Sequence, residues 1–422
     1  MTQARFYPKY PAIFLFILFT LVGCVRPDAG PSPFDALGEP TAKPRQLPDS
    51  PVAGPERELI PDAELVFGPT TVGLDIPAQV DAHGGFLAAY AETVAEERLS
   101  AAQIVERVAR EYSLHPRLLL AMLDLISGWV SKDSALEYPL YPDADSDMIL
   151  FRQLSTLANT LNYGFYARRV GGLSSVSTLD GVEITLSREI NDASAAVQFA
   201  LAQLYGYYDW EQAVSALGLQ ASYAALFGDP FAYRAALLPE GLSQPAMLLP
   251  YPKSESWFFT AGPHAGWGTG AAWAALDFAP DEEGWGCYHA VSWVTAVADG
   301  PVVRVGDGIV VQDLDVDGQE GTGWTVLYMH IADDGKVARG DDLQAGDRIG
   351  HPSCAGGPAT GTHLHIARRY NGEWIPADQD IPFNLSGWES RGDGLEYDGT
   401  LQKGAIAIEA AGFPTDANKI PH

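Results

Sequence analysis

Apolar positions change rhythm several times along this chain, and each change marks an expected boundary. Residues 11–23, PAIFLFILFTLVG, are almost unbroken in apolar character. Such a run is short for a membrane span but suits the core of an export signal over residues 1–23. From Val25 to Pro61 it gives way to prolines at 27, 31, 33, 40, 44, 48, 51, 55 and 61, with no apolar period to bury. This predicts an extended Pro-rich tether over residues 24–75. Between residues 76 and 240 the period becomes helical. AAQIVERVAREYSL places Ile104, Val108 and Tyr112 four residues apart on one face. HPRLLLAMLDLISGWV opens with a proline suited to a first helical turn and closes near Gly128. FRQLSTLANTLNYGFYARR, AAVQFALAQLYGYY and DWEQAVSALG continue the pattern, so an all-helical domain of at least five helices is expected. Over residues 241–390, SWVTAVADGPVVRVGDGIVVQDLDVDG and TGWTVLYMHI alternate β-branched residues with Gly and Asp turns, which predicts strands. Residues 391–422 are mixed and read as a C-terminal extension. The expected fold class is multidomain α+β, an N-terminal all-α domain followed by a β-rich antiparallel-sheet domain.

Composition narrows the partners. A chain of 422 residues with 47% hydrophobic positions can bury two cores. Its formal net charge of −28 leaves no basic face for nucleic acid. Acidity also repels anionic surfaces unless something anchors the protein to them. Arg5 and Lys9 precede the apolar run, and LVGC ends it. That ending resembles the lipobox of bacterial lipoproteins, which implies that Cys24 is lipidated and anchors the mature chain to a membrane. Cys287 and Cys354 are the remaining cysteines; in an exported chain they are candidates for a disulfide.

The helical region resembles the lysozyme-like fold of lytic transglycosylases in HPRLLLAMLDLISGW, in ANTLNYGFY and in the closing helices. The resemblance implies a catalytic glutamate directly before Ser-Gly, but that position is Ile126. Asp124 lies about 200° around the helix from it, and Glu111 and Glu183 have no motif behind them. Glycoside cleavage needs a positioned acid. The domain is therefore expected to be non-catalytic, either binding glycan or acting as a spacer.

Six of nine histidines fall in the β-rich region, at 264, 289, 330, 351, 363 and 365. In GTHLHI, His363 and His365 would share one face of a strand, because the side-chain period is two. Three motifs in order resemble the LytM/lysostaphin-type zinc endopeptidases, peptidase family M23, over about residues 248–384: GPHAGWGTGAAWAALDFAP, LYMHI and GTHLHI. The resemblance implies zinc held by His264, Asp277 and His365, with His330 and His363 as catalytic histidines, and peptidoglycan stems or bridges as substrate. A catalytic zinc with three protein ligands keeps a fourth position open for water or substrate. One departure stands out. Twelve residues separate His264 from Asp277, more than the family pattern carries, so AGWGTGAAWAAL must return Asp277 to the metal. His289, in YHAVSW, is the alternative donor.

Other features are less specific. Asp313, Asp315 and Asp317 followed by Gly318 match the first half of a calcium loop, but Trp324 occupies the twelfth position. An acidic turn and a Ca2+-stabilised hairpin both stay open. Trp257, Trp267, Trp273, Trp285 and Trp293 crowd the motif domain, as core residues or as part of a substrate groove. The leading expectation is a lipid-anchored, zinc-dependent metalloendopeptidase of the bacterial cell envelope. Its rival is an inactive peptidoglycan-binding lipoprotein, or an activator of another cell-wall hydrolase.

Overall fold

In the computed structural model, residues 46–133, 139–141 and 149–422 are described. Cys24 and the export signal lie outside these residues. Among the described residues no helix is long and apolar enough to cross a membrane.

The first half is helix-rich. Its helices are α1 (Ile76–His83), α2 (Phe86–Ala89), α3 (Ala101–Tyr112), α4 (Pro116–Ser127), α5 (Leu150–Arg169), α6 (Asp192–Ala202), α7 (Tyr207–Ala213) and α8 (Leu219–Phe227). Helix α3 starts at a capping box in which Ser100 and Gln103 satisfy each other's backbone N–H groups. Helix α4 begins with Pro116 and ends at Gly128, whose φ of 70° closes it in the left-handed region. Its apolar residues bury all round, and Ile126 is among them.

Two expectations about this half need correction. It is not all-helical, because short strands at Val52–Ala53, Ser175–Ser177 and Glu183–Thr185 form a small sheet and Ala91–Val94 pairs with Glu97–Ser100. Nor is residues 24–75 a tether throughout. Val52 and Ala53 pair in parallel with Ile184 and Thr185, and Leu59, Ile60, Leu65, Val66 and Phe67 are buried. The physical reason is a short apolar cluster, LIPDAELVF, that fills the helical core without needing a period. Leu59 N–H donates to Ser194 Oγ at 2.7 Å, and Asn191 donates to the Ile60 carbonyl at 2.8 Å.

The second half is built on an antiparallel sheet. Its main strands are β1 (Ser256–His264), β2 (Ala275–Pro280), β3 (Gly300–Gly306), β4 (Ile309–Asp313), β5 (Trp324–Met329) and β6 (Leu364–Tyr370). Their spatial order is β3-β4-β5-β6-β2-β1. A two-residue Asp307-Gly308 turn joins β3 to β4, with Gly308 at a positive φ of 65°, a conformation that favours glycine. The last residues are no peripheral extension. Lys419–Pro421 pairs with β1 and widens the sheet, while Trp388–Arg391, Thr400–Lys403 and Ile406–Glu409 form much of a second one.

Strand alternation divides the packing between two cores. Val310, Val326, Tyr328, Leu364 and Ile366 point into the core of the β half. Ile309, Val311, Leu327, Met329 and Ala367 point the other way and join the core of the helices. His363 and His365 have the parity of Ala367. The chemistry thus sits on the sheet face that the helical half covers further along the strand.

A polar seam completes that contact. The buried Glu320 carboxylate accepts from Arg304 at 2.8 Å and from Arg369 at 2.6 Å, and Arg110 of α3 reaches it at 3.4 Å. The paired guanidiniums hold this carboxyl far below its ordinary range despite burial. Arg169 of α5 pairs with Glu373 at 2.9 Å, and Ser113 donates to the Gly372 carbonyl at 2.5 Å.

Candidate metal centre and active site

Asp277 lies directly opposite His365 in the β2–β6 register, and β1 brings His264 alongside. Asp277 Oδ1 is 3.2 Å from His264 Nε2 and 3.2 Å from His365 Nδ1, and those two nitrogens are 2.9 Å apart. All three side chains are largely buried. This triangle is close to what zinc needs, since ligands about 2.0–2.1 Å from a tetrahedral ion lie roughly 3.3 Å from one another.

The tautomers make the case stronger. His264 Nδ1–H donates to the Gly262 carbonyl at 2.8 Å, and His365 Nε2–H donates to the Gly266 carbonyl at 3.2 Å. In the neutral imidazoles the two facing nitrogens are then both lone pairs, aimed at each other and at a carboxylate oxygen. Asp277 Oδ1 is buried with no hydrogen-bond partner. A cation at the centre satisfies all three acceptors at once, and two imidazoles with one carboxylate at this spacing fit zinc. Backbone carbonyls here do the orienting that outer partners do in metal sites generally.

Burial pushes the Asp277 carboxyl up, but the neighbouring His264 and His363 outweigh it and hold it well below the ordinary range, so without a metal this carboxylate draws a proton onto an imidazole. Burial lowers His264, yet Asp277 leaves its pKa raised overall. His365 stays lowered, with burial the largest cause.

The long His264–Asp277 connection has a visible job. It docks on the helical half: Asn159 Oδ1 of α5 accepts from Thr269 N–H at 2.9 Å and from Gly270 N–H at 2.8 Å. Two glycines are required by close approach. A Cβ on Gly266 would fall 2.6 Å from the Trp374 ring, and one on Gly270 would fall 2.0 Å from the Asn159 carbonyl oxygen. Trp267 sets its edge against Tyr112 of α3. The loop therefore carries the metal ligand at its start and the domain contact in its middle.

His330 and His363 flank the triangle. Their rings are 4.4 Å apart, and His363 Nε2 lies 3.5 Å from Asp277 Oδ2. His330 Nδ1–H donates to the Ala355 carbonyl and His363 Nδ1–H to the Gly361 carbonyl, each at 2.7 Å. Both rings therefore keep Nε2 free as a proton acceptor. Burial, with the neighbouring His363 second, lowers the His330 pKa to about 4. His330 also sits at φ 66°, in a left-handed conformation that a non-glycine residue holds only when its surroundings impose it. Here the Ser353 N–H and Oγ–H both grip its carbonyl, at 2.6 and 3.0 Å.

The remaining candidates are placed as follows. His289 is exposed and faces Asp334 at 3.7 Å, outside the triangle. His351 stacks on Trp293 with ring centroids 3.8 Å apart. Cys287 and Cys354 are joined in a disulfide. Asp313, Asp315 and Asp317 bring carboxylate oxygens within 4.8 Å of one another, a cluster that matches the calcium alternative and equally an acidic turn. Partial burial, then Asp313, pushes the Asp315 carboxyl up to about 7. In the helical half, Asp124 accepts from Ser131 N–H and Oγ–H, Glu111 pairs with Arg107, and Glu183 is exposed at the start of the central strand of the small sheet.

One residue escaped the sequence reading. Tyr397 stacks over His264 at 4.8 Å and 24°, with φ of 72°. Backbone bonds to Gly262 and Pro263 clamp it there. It belongs to the stretch expected to be peripheral, where neither motif nor period distinguishes it.

Residues 58–240 match the family described as LasA, N-terminal domain, and residues 288–376 match peptidase family M23. The second match holds His330, His363 and His365; His264 and Asp277 precede it. The chain is 27% identical over 325 residues to protease LasA of Pseudomonas aeruginosa, covering 70% of this chain and 72% of that protein. It is 28% identical over 173 residues to a beta-lytic metalloendopeptidase of Achromobacter lyticus, covering 39% and 42%. Among solved structures, the M23 metalloprotease pseudoalterin aligns at 22% identity and TM-score 0.32, over 40% of this chain and 96% of that one.

Proposed function

We propose that this chain is a cell-envelope zinc endopeptidase that hydrolyses peptide bonds in peptidoglycan stems or cross-bridges, a reading supported by the match of residues 288–376 to peptidase family M23. The observation that carries the reading is the triangle of His264 Nε2, Asp277 Oδ1 and His365 Nδ1, three possible ligand atoms converging on one buried point. Zinc bound there would polarise a peptide carbonyl and make water a competent nucleophile near neutral pH. The chain's own residues would do the rest. His330 and His363 present free Nε2 atoms on one side of the triangle, where either can take a proton from the attacking water and return it to the leaving amine. Ser353 is committed to the His330 carbonyl and Cys354 to its disulfide, so neither serves as a covalent nucleophile. Two free imidazoles beside a three-ligand site favour hydrolysis over a purely binding role.

The helical half is read as a non-catalytic partner; its lysozyme-like ancestry rests on sequence resemblance alone. Lipidation at Cys24, and with it attachment to a membrane, rests on LVGC following the apolar run. A disulfide suits the extracytoplasmic side of that membrane.

The test is mass spectrometry of fragments released from purified peptidoglycan by the full chain in detergent, with zinc and in parallel with chelator. New peptide termini that vanish with chelator are expected. Intact peptides in both arms would refute the reading, and anhydro-sugar ends would overturn the non-catalytic assignment of the helical half.

A further inference from the structure

We propose that Trp285 is a stacking platform for the saccharide strand of peptidoglycan, holding the glycan beside the metal centre while an attached peptide is cut. The inference rests on the endopeptidase reading above. Trp285 is 94% exposed, more than any other large hydrophobic residue among those described. Single exposed apolar residues are ordinary on protein surfaces. What sets this one apart is that its loop is fixed while its side chain rests on nothing.

The loop leaves β2 after Pro280 and is pinned at several points. The Gly286 carbonyl accepts the Thr362 N–H at 2.9 Å. Thr362 Oγ1 accepts from Tyr288 N–H at 2.9 Å and donates to the Tyr288 carbonyl at 2.8 Å. Cys287 is bonded to Cys354, and the Glu282 carboxylate caps the N–H groups of Val291 and Ser292. Thr362 directly precedes His363, so the pinning point is also the entry to the active-site strand. An indole carries roughly 150–250 Å² of surface, and a free loop would fold it back to bury that area. Here the loop is tied down on both sides of Trp285, which limits how far the backbone can carry the ring back. The ordering cost of presenting the ring is thus already met before a ligand arrives, the usual mark of a preorganised contact.

The surroundings choose the ligand. Trp285 follows Asp281, Glu282 and Glu283, and residues 281–293 contain no Lys or Arg. Anionic lipid headgroups are repelled by such a loop. A sugar ring is suited to it: its C–H face buries against the indole while the exposed Glu283 carboxylate can accept from its hydroxyls, Glu282 being committed to its caps and Asp281 to Lys419. At the β1 end of the ligand row, Tyr397 offers a second exposed aromatic face above His264. A glycan on the Trp285 rim would leave its pendant peptide free to cross the centre between the two.

The experiment compares the zinc-loaded full chain with W285A and W285F on two substrates: intact peptidoglycan sacculi, and a short synthetic stem–bridge peptide without sugar. The readout is the ratio of kcat/KM on sacculi to kcat/KM on the peptide, together with pelleting of each protein on sacculi. W285A should lower the ratio and the pelleting affinity about tenfold, the equivalent of about 1.4 kcal/mol, and W285F should restore much of both. An unchanged ratio with unchanged pelleting overturns the proposal, as does an equal fall on both substrates, which would make Trp285 part of the peptide site. A wild-type chain that cleaves neither substrate refutes the endopeptidase reading instead, and pelleting then still decides the role of Trp285.

Discussion

Asp277 faces two ways, one oxygen toward the ligand triangle and the other toward His363, and substitutions around it should separate metal binding from chemistry. D277N replaces an anionic ligand by a neutral amide and should strip zinc from the protein, read as metal content after dialysis, with activity lost in parallel. H363A and H330A should keep their zinc and still lose about 10²–10⁴-fold in kcat, the usual range for general acid–base groups. Retained zinc with undiminished kcat would remove that histidine from the mechanism. His264, Asp277, His330, His363 and His365 stood out in the sequence because three motifs resemble family M23, and the fold gathers them at one end of the sheet. The twelve-residue gap before Asp277 was visible as a departure, but its cause, docking on Asn159, is a contact between distant segments. Tyr397 was invisible for a similar reason: its value lies in a backbone clamp to Gly262 and Pro263.

At the scale of elements, period was a good guide where a segment is long enough to have one. Helices α3, α4 and α5, and strands β3 to β6, fall where apolar spacing put them. Residues 59–67 were misplaced because five large apolar side chains in nine residues need no period to be buried, and flanking prolines made the stretch look unfolded. That plug brings Glu64 beneath α4 and α8, where it meets Arg117 at 3.0 Å and the Tyr223 hydroxyl. Burial, partly offset by Tyr223 and Arg117, pushes the Glu64 carboxyl up to about 7 from an ordinary 4.5. The folded state therefore holds this proton more tightly than the unfolded chain. The resulting stabilisation is complete below about pH 4.5 and is lost as pH rises through about 7. Wild type should accordingly lose thermal stability relative to E64Q between about pH 5 and pH 8; a constant difference would contradict the assignment. The seam between the halves carries the opposite sign, a carboxylate ionised among guanidiniums. E320Q leaves Arg304 and Arg369 buried without their anion and should cost about 3–5 kcal/mol in denaturant unfolding.

For the molecule as a whole, the sheet face that holds the ligands is continuous with the face that buries the helices, so metal binding and global stability are linked. Zinc at about 100 times its Kd should stabilise the folded chain by about 2.7 kcal/mol, seen as a higher thermal midpoint that chelator reverses and D277N abolishes. The disulfide adds a dependence on place. Cys354 immediately precedes Ala355, whose carbonyl sets the His330 tautomer, and Cys287 anchors the loop that presents Trp285. With its thiols reduced, as a cytosol keeps them, the chain would hold its metal ligands while the Ala355 carbonyl and the Trp285 loop each lose one of their ties. A newly made copy is then a blunt tool inside the cell. An oxidising compartment, where the Cys287–Cys354 bond forms, would sharpen it.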